Sequence, residues 1–422
     1  MVSVKQKVVQ ELSHSAPIIL QYNTNSSIQD MGGIAVYPNE FNKALSVMTL
    51  VSPLSSNLEN GKILIEQYTS KRLERVWRIL LGGLRRISDS PFSVLGGIGY
   101  GLIQRFLTIR FSRHEESRNN VIYHHMNNFV LPDLALIRLA KKHNVFIVTT
   151  IVDLLEVDYP QFLPKSTNIF RRHLKKFLKS GTHFFIPITN FIRNDSINSG
   201  LISELSNYEV IEWGTDHLGI PNSTVTLNQI KVDNVSDANA QRPFFLFPAK
   251  SWAHKGHLKF LEAYAANDLA DFRVTLIGDI EPLRAKIETL VSSMGNRGTK
   301  NINILGFVDD TTRDQLMNDC LAVILPSCYE GFGFPYFEAA FLKKALVTFR
   351  TKSLLEFFGK DENSLSIPNL DFSTFVQALI DFDEHAAELE TERKFNRIQA
   401  LTWESCLLRT LGVYSRILEE IP

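Results

Sequence analysis

Short apolar runs alternate with longer amphipathic stretches along most of the chain. In the first half, the runs that predict strands are 18–21, 46–50, 63–66, 121–123, 146–151, 184–188 and 210–212. In the second half they are 244–248, 273–277, 302–305, 321–325 and 346–349. The stretches between them have the apolar spacing of helices, and this alternation is typical of parallel sheets built from β-α-β units. The pattern therefore predicts an α/β protein.

A polar segment, residues 218–242, separates the two sets of runs. Its Asn, Ser, Asp and Thr content is typical of a connection between domains, although residues 224–227 also fit one more edge strand. A chain of 422 residues is long for a single hydrophobic core. We therefore expect a first domain over 1–217, a connection over 218–242 and a second domain over 243–402. Residues 403–422 are expected to form a final amphipathic helix from Trp403.

Composition and charge narrow the function classes. The chain has 45 basic and 45 acidic residues, so no global charge attracts nucleic acid. Its three cysteines have neither zinc-binding nor disulfide spacing, and Cys320 and Cys328 are expected to be buried small apolar residues. The most apolar long stretch, 92–109, contains four glycines, a glutamine and an arginine, so we predict no membrane span. These features favour a cytoplasmic protein, with the inner face of the membrane as a second candidate location.

The stretch from Glu330 to Glu338, Glu-Gly-Phe-Gly-Phe-Pro-Tyr-Phe-Glu, is the strongest chemical signal. It follows the predicted strand 321–325 and precedes a helical pattern in which Pro335 suits the first position. Loops of this kind face the ligand crevice at the carboxyl ends of the strands of a doubly wound sheet. Gly331 and Gly333 permit close approach of the backbone, and the free N–H groups of the helix favour a phosphate.

The two carboxylates of this stretch suit a sugar. Each has two acceptor oxygens, which match the paired donors of vicinal hydroxyls, so Glu330 and Glu338 can each hold one hydroxyl pair. The alternative is that a glutamate in a first helical turn only complements the helix dipole.

The whole stretch resembles the Glu-x7-Glu signature of retaining glycosyltransferases of family 4. The resemblance implies the GT-B fold, in which two Rossmann-like, doubly wound domains face a cleft and the last helix crosses back to the first domain. It also implies that Glu330 touches donor-sugar hydroxyls and that Glu338 holds the ribose. The residues between them that the resemblance makes donor-binding are Gly331, Phe332, Gly333 and Phe334.

A second loop, after the predicted strand 244–248, carries Lys250 and Lys255. Cations here would stabilise the charge that grows on a leaving diphosphate. The alternative is a solvated pair of surface lysines. The family places a basic pair at this spacing, and its first member is commonly arginine. The ammonium of Lys250 is a point charge and cannot bind in the bidentate manner of an arginine guanidinium, which puts its contact with the diphosphate in doubt. Lys255 is therefore the firmer assignment.

Three further positions come from the first half. Gly32 and Gly33 follow the predicted strand 18–21, and family members carry a similar Gly-Gly turn beside the diphosphate and acceptor; the alternative is a tight turn without a ligand. His124 and His125 follow the predicted strand 121–123, and one of them, with His124 as the candidate, could contact the acceptor or relay its proton; the alternative is that both cap or pack. Asp153 is the one distant candidate for a nucleophile. Family members carry a histidine near the donor sugar immediately before this aspartate. Val152 departs from that pattern, which puts the usual sugar contact in doubt and allows an unusual donor or an impaired enzyme.

Two basic segments with apolar residues at helical spacing, 71–113 and 170–179, suit the surface of an anionic membrane. Ordinary solvated helix faces are the alternative. A lipid-linked acceptor would favour the membrane interpretation.

The resemblance implies a retaining, metal-independent hexosyltransferase without a cofactor. Its partners would be a nucleotide-sugar donor and a saccharide or lipid-linked acceptor, in the synthesis of cell-surface polysaccharide or glycolipid. Mannose from GDP-mannose is the first donor hypothesis, because residues 252–255 look like those of mannosyltransferase relatives. The Asp-x-Asp at Asp381 and Asp383 is predicted to be solvated surface and not a metal site. The alternatives are a non-catalytic nucleotide-sugar-binding subunit and a sugar-nucleotide epimerase or hydrolase.

Overall fold

A computed structural model of the protein describes residues 18–22, 66–67, 121–125, 146–155, 159–162, 183–216, 242–359, 366–368 and 370–419. The chain divides into two compact units. Unit 1 comprises Met1–Gly214 with Trp403–Pro422, and unit 2 comprises Thr215–Thr402. Each contains a six-stranded sheet, and every strand pairing in the described part of the chain is parallel.

The sheet of unit 1 has the order β2-β1-β3-β4-β5-β6. Its strands are β1 (Ile18–Tyr22), β2 (Glu66–Gln67), β3 (Val121–His125), β4 (Phe146–Ile151), β5 (His183–Pro187) and β6 (Asn207–Tyr208). Strand β4 has the predicted bounds, and β3 continues two residues beyond its predicted end. The predicted strands 46–50 and 224–227, and most of 63–66, lie outside the described residues.

The predicted strand 210–212 is wrong. The strand that pairs with β5 is β6, which lies before residue 210 in the chain. Beyond β6, single backbone hydrogen bonds continue the contact with β5, such as Ile211 N–H to Pro187 O at 3.0 Å. The apolar residues that suggested a strand serve burial instead, since Ile211 is 1% exposed.

The sheet of unit 2 has the order β12-β11-β10-β7-β8-β9. Its strands are β7 (Phe244–Pro248), β8 (Arg273–Ile277), β9 (Ile302–Gly306), β10 (Ala322–Leu325), β11 (Ala345–Phe349) and β12 (Ser366–Ile367). The five predicted strands are confirmed to within one residue at each end. The short β12 was missed, because two residues carry no recognisable pattern.

The strand order of unit 2 reverses beside β7. Strands β8 and β9 extend the sheet on one side of β7, whereas β10, β11 and β12 extend it on the other. The carboxyl ends of β7 and β10 therefore flank a topological switch point, the place where open α/β sheets bind ligands.

Helices connect the strands of the unit 2 sheet along the chain. They are α2 (His257–Ala266), α3 (Arg284–Ser293), α4 (Asn296–Asn301), α5 (Asp310–Asp319), α6 (Phe334–Phe341), α7 (Lys352–Phe358), α8 (Phe372–Ile380) and α9 (Glu384–Ile398); α1 (Asn190–Asn198) belongs to unit 1. All residues of β10 and β11 are buried, as expected for a parallel strand covered on both faces. Cys320 and Cys328 are buried too, as predicted.

The final helix, α10 (Trp403–Glu419), begins at the predicted residue and belongs to unit 1. Its apolar side is buried, with Tyr414 0% exposed. On the polar side Arg409 donates to Glu212 Oε2 at 2.6 Å, and Arg416 pairs with Glu209. None of the helices in the described ranges is long and apolar enough to cross a membrane.

Candidate active site

The loop after β7 is fastened to the loop after β8. The Ser251 backbone N–H donates to Asp279 O at 2.9 Å, and the Ser251 hydroxyl donates to Ile280 O at 2.9 Å. Gly278 has a φ of 108°, and a Cβ there would lie 2.8 Å from Ala249 O. Only glycine permits this approach. The two loops therefore form one backbone layer at the carboxyl edge of the sheet.

Lys250 projects from this layer onto Asp279. Lys250 Nζ lies 2.7 Å from Asp279 Oδ2, and both side chains are about one quarter exposed (26% and 29%). The Asp279 carboxylate also accepts from Glu281 N–H at 3.1 Å. The ammonium of Lys250 lowers the pKa of Asp279. Lys250 also lies 5.7 Å from the centre of the half-exposed Trp252 ring.

Lys255 ends a short 3-10 turn, Ala253–Lys255. The next residue, Gly256, has a φ of 82° and is the N-cap of α2, and a Cβ on it would lie 2.4 Å from Pro326 O. The Cys328 N–H also donates to His254 O at 2.8 Å. These close contacts bring the loops after β7 and β10 together.

Glu330 lies in the loop after β10 and contacts Lys255. Lys255 Nζ is 2.7 Å from both carboxylate oxygens of Glu330. Glu330 is 7% exposed and Lys255 is 19% exposed, so the pair is largely removed from water. Such a charge-assisted contact in a region of low dielectric is strong. The structure therefore brings together the two residues that the sequence placed in separate loops.

The glycine loop ends where α6 begins. Gly333 has a φ of 85° and precedes Phe334, so Pro335 takes the second helical position, one later than predicted. Tyr336 in this first turn is 1% exposed, and its pKa is raised by burial and by the Glu330 carboxylate. Glu338 follows on the same helix and is half-buried.

Phe332 and Phe334 were predicted to bind donor, and their side chains do not fit that role. The Phe332 ring stacks on Phe337 at 4.3 Å and meets the Phe334 ring edge-on at 5.2 Å. Both residues are buried, at 4% and 7% exposure. Burial of these apolar rings in the core stabilises the conformation of the loop. A ligand at the loop would therefore contact the backbone of these residues and not their rings.

Two histidines accompany Lys255: His254 lies in the loop after β7 that carries Lys250 and Lys255 (the lysine loop), and His257 is the first residue of α2. His254 and His257 are buried, and His257 stacks on Phe247 at 4.1 Å. Burial, reinforced by the charge of Lys255, lowers the pKa of His254 to about 2. Burial, opposed by the Ala249 backbone, lowers the pKa of His257 to about 3. Both rings are therefore neutral at neutral pH and add no positive charge to the loop.

In unit 1, the structure supports the packing alternative for His124. This residue lies inside β3 and is 0% exposed. Its Nδ1 is 2.5 Å from Tyr414 Oη, and its Nε2 is 2.8 Å from Thr150 Oγ1. Burial and the neighbouring His125 lower its pKa to about 3. With both nitrogens engaged, His124 connects β3 to β4 and α10, and the prediction of an acceptor contact does not fit this geometry.

The other predicted residues of unit 1 differ in what the structure describes. Asp153 follows β4, is half-buried and accepts the Leu155 N–H at 2.6 Å, so it stabilises the turn after the strand. Val152 is 2% exposed. Gly32 and Gly33 lie outside the described residues.

The Asp-x-Asp at Asp381 and Asp383 lies in the connection between α8 and α9, and both aspartates are exposed. The described ranges contain no group of three or more His, Cys, Asp or Glu side chains that could hold a metal ion.

Asp279 is the site residue that the sequence analysis missed. It follows Gly278 directly after β8, at the same edge as the lysine loop. An acidic residue at the carboxyl end of the strand next to β7 was the available signal.

Part of unit 2 is similar to a family of known proteins. Residues 228–397 match the family model for "Glycosyl transferases group 1". This region lies within unit 2 and contains Lys250, Lys255, Glu330 and Glu338.

Two curated proteins are similar to parts of the chain. The O-antigen chain mannosyltransferase B of Escherichia coli is 30% identical over 122 residues, which are 28% of this chain and 32% of that protein. The D-rhamnosyltransferase WbpZ of Pseudomonas aeruginosa is 24% identical over 225 residues, which are 53% of this chain and 55% of that protein. The alignments thus span about a third and about half of these relatives. They support the superfamily of group 1 glycosyltransferases.

Solved structures show the same fold over nearly the whole chain. Sucrose-phosphate synthase from Thermosynechococcus elongatus has a TM-score of 0.67 at 17% identity, covering 96% of this chain and 99% of that one. Anabaena HepE in complex with UDP and glucose has a TM-score of 0.63 at 14% identity, covering 95% and 99%. The chain has the two-domain GT-B fold that the sequence predicts.

Proposed function

We propose that the protein is a retaining glycosyltransferase that moves a hexosyl group from a nucleotide sugar to a saccharide or lipid-linked acceptor. The observation that carries the proposal is the contact of Lys255 with Glu330 at the switch point of unit 2. This contact supports the proposal because a lysine cation suits a diphosphate and a carboxylate suits sugar hydroxyls, and both residues lie in the region that matches the glycosyltransferase family model.

Each residue has a chemical task in this proposal. Lys250, Lys255 and the positive end of the α6 helix dipole stabilise the negative charge of the departing nucleoside diphosphate. Glu330 accepts hydroxyls of the transferred sugar, and Glu338, one turn into α6, accepts the ribose hydroxyls. The proposed transfer needs no metal ion and no cofactor, because the cations that face the diphosphate are side chains.

Mannose from GDP-mannose is the proposed first donor. The name of the E. coli relative supports a mannosyl group, and the name of the P. aeruginosa relative supports a deoxyhexose as the next candidate. The complex of HepE with UDP and glucose makes a uridine nucleotide the main competing donor base.

The proposed acceptor belongs to the synthesis of a cell-surface polysaccharide or glycolipid, which the O-antigen relative supports. If the acceptor is lipid-linked, we propose that the basic segments 71–113 and 170–179 bind peripherally to an anionic membrane. Both segments lie outside the described residues, so sedimentation with anionic and neutral vesicles is the experiment that tests this part.

The function is tested by incubating the protein with GDP-mannose, UDP-glucose and other nucleotide sugars and a panel of saccharide and lipid-linked acceptors. The expected result is acceptor-dependent release of one nucleoside diphosphate, undiminished by EDTA, and the donor's anomeric configuration in the product by NMR. Release without acceptor would instead support the hydrolase or epimerase. Nucleotide binding without any turnover would support the non-catalytic subunit, for which the buried Val152 is the motivating departure.

A further inference from the structure

Glu330 contacts Lys255 through both carboxylate oxygens, each 2.7 Å from the Lys255 ammonium. We propose that Glu330 acts as an internal counter-ion of Lys255, which makes the site prefer a nucleotide sugar over a free nucleoside diphosphate. The inference rests on the proposed donor site and adds a selectivity that favours release of the spent nucleotide.

The first step concerns charge. Lys250 pairs with Asp279 and Lys255 pairs with Glu330, so the two cations and two carboxylates sum to zero formal charge. A diphosphate that approaches these loops gains little until one lysine leaves its carboxylate. Because Glu330 is only 7% exposed, opening its pair leaves a charge that water hardly reaches.

The second step concerns what replaces each half of the pair. A nucleotide sugar brings diphosphate oxygens for Lys255 and sugar hydroxyls for Glu330, so both charged groups regain partners. A free nucleoside diphosphate provides a partner for Lys255 alone and leaves the Glu330 carboxylate without one. After transfer of the sugar, the Lys255–Glu330 contact re-forms at the expense of the lysine–phosphate contact, and the product leaves more readily.

Asp279 provides the contrast. Its side chain is 29% exposed and also accepts the Glu281 N–H at 3.1 Å. When Lys250 leaves Asp279 to contact a phosphate, the Asp279 carboxylate therefore still has water and the Glu281 N–H as partners. This holds whether or not the ligand carries a sugar. Asp279→Asn consequently removes the same charge from the same site without changing the preference for a sugar.

The test is calorimetric titration of the wild type, Glu330→Gln and Asp279→Asn with inorganic pyrophosphate, GDP, GDP-mannose, UDP and UDP-glucose. Glu330→Gln is expected to bind pyrophosphate and the preferred nucleoside diphosphate at least about 5-fold more tightly. The ratio of nucleotide-sugar to nucleoside-diphosphate affinity should fall at least about 10-fold. Asp279→Asn should change both affinities by the same factor and keep the wild-type ratio.

Glu330→Asp is the second variant, since it keeps the charge while shortening the side chain. It should bind pyrophosphate as weakly as the wild type does. Unchanged or weaker binding of pyrophosphate and nucleoside diphosphate by Glu330→Gln would overturn the counter-ion role, even with the donor site intact. Tighter pyrophosphate binding by Glu330→Gln, with no nucleotide bound by any variant, would instead overturn the proposed function and the sugar preference with it.

Discussion

Gly333 lies directly against the ring of Tyr336: a Cβ on Gly333 would be 2.5 Å from Tyr336 Cδ2. Gly333 also has a φ of 85°, a conformation that side-chain-bearing residues rarely adopt. The tyrosine ring is buried beneath the loop, with its hydroxyl 3.3 Å from Thr351 Oγ1. The glycine that carries the family resemblance is therefore required by the fold of the loop, independently of any ligand.

Gly333→Ala is expected to lower the free energy of unfolding more than Gly200→Ala. Both alanines adopt positive φ, at a cost of about 1–2 kcal/mol. The alanine at 333 also collides with Tyr336, adding about 1–3 kcal/mol of overpacking, whereas nothing lies within 4 Å of a Cβ at 200. Urea unfolding of the two variants measures the difference. Equal losses would show that the Tyr336 contact carries no energetic penalty.

Lys255→Met is expected to destabilise the protein through Glu330. The carboxylate loses the partner that both of its oxygens contact, and a buried unpaired group costs about 1–3 kcal/mol. The double variant Lys255→Met/Glu330→Gln should recover most of this loss, because the remaining amide carries no charge. A double-mutant cycle of unfolding free energies tests the coupling. Additive single effects would mean that the 2.7 Å contact contributes no coupling.

Lys255→Met is also expected to lower turnover, because the proposed departing diphosphate would lose a positive charge that stabilises it. Turnover of Lys255→Met is expressed per folded molecule, with the folded fraction measured by circular dichroism at the assay temperature, which separates this effect from instability. A normal rate would remove Lys255 from catalysis.

His257→Phe is expected to flatten the acid side of the stability curve. The native pKa of His257 is about 3, whereas the unfolded chain titrates near 6.5, so only the unfolded state gains this proton between those pH values. Its stability contribution is complete above pH 6.5 and is lost as the pH falls towards 3. The maximum slope of unfolding free energy per group is about 1.4 kcal/mol per pH unit.

Phenylalanine can keep the stacking on Phe247 and cannot be protonated. Unfolding free energies between pH 6.5 and 4.5 should therefore depend less on pH in the variant, with His254 still contributing. Between pH 7.5 and 8.5 the two proteins should show parallel curves, which provides the internal control. Parallel curves at acidic pH as well would contradict the low native pKa.

The sequence predicted most of the sheets and both loops of the unit 2 site. Strands β4, β7 and β8 were placed at their observed bounds, because continuous apolar runs between polar segments mark buried parallel strands. Lys255 and Glu330 were each placed at a strand end, and the reversal of strand order explains why those two ends are neighbours.

Other features depend on tertiary contacts that a single sequence does not carry. The pairing of Lys250 with Asp279 follows from the close approach of the β7 and β8 loops at Gly278. His124 was expected beyond the end of β3, but pairing with its neighbours extends that strand through His125 and buries the ring. The rings of Phe332 and Phe334 turn into an aromatic cluster, which no periodicity within a glycine loop predicts.

The proposed binding of a nucleotide sugar to unit 2, with Glu338 on the ribose, is tested most directly by calorimetry with Glu338→Ala. A panel of nucleoside diphosphates and nucleotide sugars is titrated into the wild type and the variant, followed by the 2′- and 3′-deoxyribose forms of the best ligand. Loss of charge-assisted hydrogen bonds worth about 1.5–3 kcal/mol predicts about 10- to 150-fold weaker binding of the ribose ligand. At least one deoxy ligand lacks the ribose hydroxyl that Glu338 is proposed to accept. Its affinities for the wild type and Glu338→Ala should therefore differ far less. Equal affinity of wild type and Glu338→Ala for the ribose ligand would contradict the account.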